Sequence, residues 1–193
     1  MGKKTGEEFA KLALNQKWDK YKYSQMDCQG FVEEVLKELG IRKSDGSVYN
    51  WRGSNSMYRN YYTWRGTIED AVKKFGFVPV GAFVYIWNKT GESKVGYSDG
   101  LGDAHHVGIY CGDNLVRDSS RSRKNGVYVR DGVGSRPLSD FNRVTLFAGL
   151  DYNLNKTYNS KVEEVHDLLD MLRNKLIDLE GVLNDIFGSC KDD

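Results

Sequence analysis

After Pro79 the chain changes its period. "GAFVYIW" (81–87), "HHVGIYC" (105–111), "NLVRDSS" (114–120), "GVYVRD" (126–131) and "RVTLFAGL" (143–150) are short runs rich in β-branched and aromatic residues. Gly, Asn, Asp and Ser separate them, so each reads as a strand bounded by turns. "CGDNL" is a tight turn that joins the second and third runs as a hairpin. The polar, glycine-rich stretch 88–103, "NKTGESKVGYSDGLGD", reads as a mobile loop leading into the "HHVGIY" strand.

Before Pro79 the period is helical. Thr5 and Glu8 have capping-box spacing, and Phe9, Leu12 and Ala13 form an apolar stripe, which predicts a helix over 5–16. "KWDKYKYSQM" lacks period and reads as a loop. Asp27 is then an N-cap, with Phe31, Val32, Val35, Leu36 and Leu39 on one face and Gly40 as the stop. Residues 41–66 read as an aromatic loop with room for one short helix, and Thr67–Phe75 as a short helix ending at Gly76. Helices first and an antiparallel sheet second indicate an α+β domain over residues 1–152.

Residues 153–193 form a linker and a tail of another kind. Tyr158, Val162, Val165, Leu169, Leu172, Leu176, Leu179, Leu183 and Ile186 alternate in steps of four and three, an unbroken heptad seam. The seam predicts homo-oligomerisation through residues 158–187; a helix laid on the domain is the other reading.

Charge is uneven along the chain. From Tyr158 onward there are four Lys or Arg and nine Asp or Glu, a net of −5, which leaves +6 on residues 1–157 of a chain that carries +1. A mildly basic body with an acidic tail fits an anionic partner such as a cell wall, and ordinary solvated faces give the same balance. Hydrophobic residues at 39% and charged residues at 28% exclude a disordered or membrane composition. No stretch approaches the ~18 apolar residues of a membrane span. "MGKKTGEEFAKLALNQKWDK" opens with two lysines but has no apolar core, so it does not read as a signal peptide. Cys28, Cys111 and Cys190 show no disulfide framework, and with His105, His106 and His166 they show no zinc spacing. No cofactor, metal or nucleic-acid partner is expected.

The chemistry gathers at Cys28. It follows the N-cap Asp27, where the positive end of a helix favours a thiolate. Strand alternation puts His106, Gly108 and Tyr110 on one face, and His105, Val107, Ile109 and Cys111 on the other. Val107, Ile109 and Cys111 read as core, which leaves His105 at the rim. His106 points past the small Gly108, where the Cys28 helix can approach. Asp118 lies on the partner strand of the hairpin and is expected to accept the Nδ1 proton of His106, leaving Nε2 toward the thiol. Taken alone, such a set is also compatible with a buried structural cysteine.

"DCQGFV" resembles the "DCSGFV"-like nucleophile motif of the NlpC-type cysteine peptidases, the papain-like cell-wall hydrolases. "HVGIYCGDN" is similar to that family's histidine strand and turn, and "VPVGAFVYIW" to the "PGDLVFF"-like strand before it. The three stand in the family's order and span residues from about 18 to about 150. The resemblance implies a minimal papain-like fold, Cys28 as nucleophile, His106 as base, and a third polar group at Asp118, where the family often has another histidine. It places the family's tyrosine on Tyr21 or Tyr23, and it makes Tyr21, Tyr23, Asp27 and Gln29 substrate-binding candidates. Gln29 departs from the family, which has a smaller residue there.

The implied activity is hydrolysis of a peptidoglycan stem-peptide amide, of the D-γ-glutamyl to diamino-acid type, through a thioester. An amidase or acyltransferase of the same group, or a silent peptidoglycan-binding scaffold, are the other readings. With no signal peptide, a phage lysin or tail-associated hydrolase is expected. It is made in the cytoplasm and acts at the bacterial cell wall after holin release or virion delivery.

Overall fold

Thr5 accepts a hydrogen bond from the Glu8 amide, and Glu8 accepts one from the Thr5 amide. This reciprocal cap starts helix α1 (Gly6–Ala13) in the computed structural model, which describes residues 3–188. The helix stops short of residue 16 because the Asn15 side chain caps the Lys17 amide and starts a 3-10 turn, Gln16–Trp18. Helix α2 (Cys28–Glu38) begins where Asp27 Oδ1 accepts from the Gly30 amide at 2.7 Å. Its Phe31, Val32, Val35 and Leu36 are wholly buried against Phe9, Phe83, Tyr85, Val107 and Ile109. Each contributes about 1.5–3 kcal/mol relative to exposure.

The segment 41–66 is more ordered than a loop. It contains α3 (Ser54–Arg59) and ends in strand β1 (Tyr62–Thr67). This edge strand escapes a pattern reading because its side chains are exposed or half-exposed, without alternation, and its larger ones are aromatic or cationic. Arg65 lies over Tyr58 and Tyr62, and Trp64 meets Phe75 edge-on. The aromatic block packs: Tyr49 and Trp51 stack at 5.2 Å and both meet the buried Phe147. Helix α4 (Ile68–Phe75) follows, capped by Thr67 and closed by left-handed Gly76.

The remaining strands are β2 (Phe83–Asn88), β3 (Asp103–Tyr110), β4 (Leu115–Lys124), β5 (Val127–Pro137) and β6 (Arg143–Phe147). The sheet is antiparallel throughout, in the order β1-β6-β2-β3-β4-β5. The molecule is therefore a mixed α+β structure with a six-stranded sheet and five helices among the described residues. The turn Gly112–Asn114 joins β3 to β4 with all three residues at positive φ. Strand β5 continues to Pro137, past the expected 126–131 run. The glycines of "GVGSR" serve close approach: a Cβ on Gly132 would stand 2.0 Å from the Tyr21 carbonyl oxygen.

Loop 88–103 is tied down. Arg59 pairs with Asp99 at 2.7 and 2.9 Å and donates to the Gly102 carbonyl, while Glu92 accepts from the Gly100 and Gly102 amides.

The chain divides into two units, Met1–Tyr152 and Asn153–Asp193. The second is α5 (Leu154–Gly188), a single helix. Its seam residues Val162, Val165, Leu169, Leu172, Leu176, Leu179 and Leu183 are all exposed. The side chains of Tyr158 and Ile186, and all of Cys190, lie outside the described residues. No described helix is long and apolar enough to cross a membrane.

Candidate active site

A bulge in β3 aims His106. Ile86 pairs with His106 but Trp87 pairs with Ala104, so His105 is the extra residue. Ala104 takes the core position that strict alternation assigns to His105, which is left exposed. His106 itself is 8% exposed.

Its Nε2 lies 2.5 Å from Asp118 Oδ2. This reverses the expected roles of the ring nitrogens: Nε2 meets the carboxylate, and Nδ1 is left for the thiol. A hydrogen bond to Cys28 acts on the His106 ring, and the α2 start brings that thiol in. Cys28, His106 and Asp118 thus come together from a helix and two strands. Burial pulls the His106 pKa down. The Asp118 carboxylate and the Cys28 thiol outweigh burial and raise the pKa to about 9. At neutral pH the ring is an imidazolium beside the thiol, an arrangement that favours thiolate nucleophilicity.

Asp118 is wholly buried, which is costly for a carboxylate without partners. It has three. Besides His106, Arg130 pairs with Oδ1 and donates to the Asp118 carbonyl at 2.9 Å, and Arg136 Nη1 lies 3.7 Å from Oδ2. Two glycines make room. A Cβ on Gly108 would stand 3.2 Å from Asp118 Cβ, and one on Gly134 would stand 3.2 Å from the Arg130 guanidinium. Phe141 stacks on the His106 ring at 6.1 Å, and Arg136 lies 5.3 Å from the Phe141 ring.

The approach to Cys28 is held by the same strands. Ser119 Oγ donates to the Met26 carbonyl at 2.5 Å, and the Val133 amide donates to the Tyr21 carbonyl. Tyr21 packs its ring toward Trp18. Tyr23 stands nearer the thiol: burial raises its pKa, and the Cys28 and Asp27 charges add to this while Arg121 opposes it. Asp27 serves as the helix cap. Gln29 has its polar atoms engaged elsewhere. Its Nε2 donates to Glu33 and to the Trp51 carbonyl, and its Oε1 accepts from the Gly53 amide. It straps the aromatic loop to α2.

A groove of about 570 Å³ opens on His106, lined by Tyr23, Ile86, His105, Arg121, Arg130 and Arg136 among others. Cys111 takes no part: burial pushes its thiol up to about 12, and it packs against Ala10 and Ile109. Among the described residues no group of three or more His, Cys, Asp or Glu is placed to hold a metal.

Arg130, Arg136, Phe141 and Ser119 were not legible as site residues. A signal for two of them exists: "RDGVGSR" alternates Arg130, Gly132, Gly134 and Arg136 on one strand face, leaving a trough where a guanidinium can lie flat. A scan against protein-family models and a search of curated proteins find no match for this chain.

Proposed function

We propose that the chain is a cysteine endopeptidase that hydrolyses a peptidoglycan stem-peptide amide, of the D-γ-glutamyl to diamino-acid type. The observation that carries this reading is the Cys28–His106–Asp118 set, with the thiol at a helix start and the ring cationic. The motif resemblance supplies the substrate class. In this reading the Cys28 thiolate adds to the scissile carbonyl, and the oxyanion takes the α2 first-turn amides. His106 Nδ1–H then protonates the leaving amine, which yields a thioester on Cys28. Water attacks the thioester with Nδ1 as base, releasing the acid and restoring the pair. The papain-like arrangement and action at the bacterial cell wall belong to the same proposal, as does homo-oligomerisation through the α5 seam. Support for the last is the row of exposed leucines.

The test is digestion of peptidoglycans of differing cross-link chemistry by wild type and Cys28→Ser, with fragments identified by mass spectrometry. New termini at the glutamyl–diamino-acid bond, absent with Cys28→Ser, are expected. Intact peptidoglycan with both proteins overturns the reading.

A further inference from the structure

Three guanidinium groups line the groove at His106, and no carboxylate does. Two of them are committed. Arg130 and Arg136 hold Asp118, and Arg136 also pairs with Asp140. Arg121 is different. It makes no hydrogen bond or ion pair among the described residues, and its guanidinium lies over the rings of Tyr23 and Tyr128, at 5.4 and 5.8 Å.

The ladder makes this arrangement informative. Arg121 stands directly opposite Asp131 in the β4–β5 pairing, the natural position for a cross-strand ion pair. The pair is not made, and Asp131 Oδ1 is left buried without a hydrogen-bond partner. The tyrosines instead hold the cation on the side of the groove where Tyr23 feels the Cys28 charge. Ser120 and Ser122, on either side of Arg121, add hydroxyl donors to the same lining.

We propose that Arg121 is a specificity-determining residue that receives a substrate carboxylate beside the scissile amide, so that the free acid is cleaved in preference to its carboxamide. The inference rests on Cys28 being the nucleophile. A planar guanidinium takes a carboxylate through two parallel N–H···O bonds, whereas a carboxamide offers a single neutral acceptor and brings donors that the cation repels. Together with the His106 imidazolium, Arg130 and Arg136 leave the groove positive after Asp118 and Asp140 are counted, which favours the anion further.

Two measurements test this on the full chain. The first is the alkylation rate of Cys28 by iodoacetate and by iodoacetamide, in wild type, Arg121→Gln and Arg121→Lys. The ratio of iodoacetate to iodoacetamide rates is expected to fall roughly tenfold in Arg121→Gln and to be partly restored in Arg121→Lys. The second is kcat/KM for two peptides that differ only in a carboxylate or carboxamide next to the scissile bond. Wild type is expected to favour the acid by roughly ten- to a hundredfold, and Arg121→Gln to lose that preference through KM. An unchanged alkylation ratio, or a carboxylate preference that survives Arg121→Gln, overturns the assignment. If neither peptide is cleaved while the alkylation ratio still falls, the peptidase reading fails and the anion site stands.

Discussion

The His106 imidazole carries two consequences that can be measured. Its folded pKa of about 9 lies above the ordinary value of 6.5. A group raised on folding contributes stability that is complete below the unfolded pKa and is lost as pH rises through the folded one. The wild type is therefore expected to lose on the order of 3 kcal/mol of stability between pH 6.5 and about 9 through this residue. Denaturant melts at a series of pH values should show the loss, and His106→Gln should remove that part of the slope. Asp118→Asn keeps the shape of the side chain but withdraws the charge that opposes burial, so the His106 pKa falls. Alkylation of Cys28 at pH 7.5 is then expected to drop by about tenfold, with the alkaline limit of the reaction moving toward acid. A pH–rate profile identical to wild type would show that Asp118 does not set the state of the ring. The pairing of His106 with Asp118 was legible because a hairpin is a local feature, whereas Cys28 was joined to them only through the motif resemblance. The sequence did not show which nitrogen of His106 meets Asp118, since the bulge at His105 decides the ring's approach and Phe141 supports it from distant chain.

At the scale of elements, the hairpin β3–β4 depends on Gly108. A Cβ there would stand 2.5 Å from Val116 Cγ1 and 3.2 Å from the Arg117 carbonyl oxygen, as well as against Asp118. Gly108→Ala is expected to cost about 1–3 kcal/mol and to lower Cys28 reactivity by displacing Asp118; thermal melts and alkylation read the two effects separately. Gln29 predicts a contrasting result. Gln29→Ala deletes the bonds to Glu33, Trp51 and Gly53, with a loss of about 1–3 kcal/mol, and leaves the Cys28 alkylation ratio between iodoacetate and iodoacetamide near the wild-type value. Strands β2 and β3 were readable because most of their buried residues are apolar, and β4 because the Gly112–Asn114 turn pairs it with β3 although it buries Arg117, Asp118 and Ser119. Strand β1 and the second half of β5 were not. Arg65, Trp64, Gly132 and Gly134 hold their places by stacking and by close backbone approach, which leaves no hydrophobic period to read.

For the whole molecule, the expectation lies in α5. Leu169, Leu172 and Leu176 are 58, 61 and 59% exposed in a chain described alone, an amount of apolar surface that association would cover. If the seam is the assembly element, wild type should sediment as an oligomer and the triple Leu→Gln variant as a monomer. Cys28 alkylation should proceed at similar rates in both. A monomeric wild type would sink the oligomer proposal without touching the site, because Cys28, His106 and Asp118 all belong to the first unit. Within that unit, adjacent residues of one strand do two jobs: Asp118 orients the base, and Ser119 grips the backbone two residues before the nucleophile. A thermal slide of β4 along its own axis therefore carries both along together. Such displacement is common to the two reacting partners and largely cancels in the distance between them, so the pair can keep its register while the surrounding fold breathes.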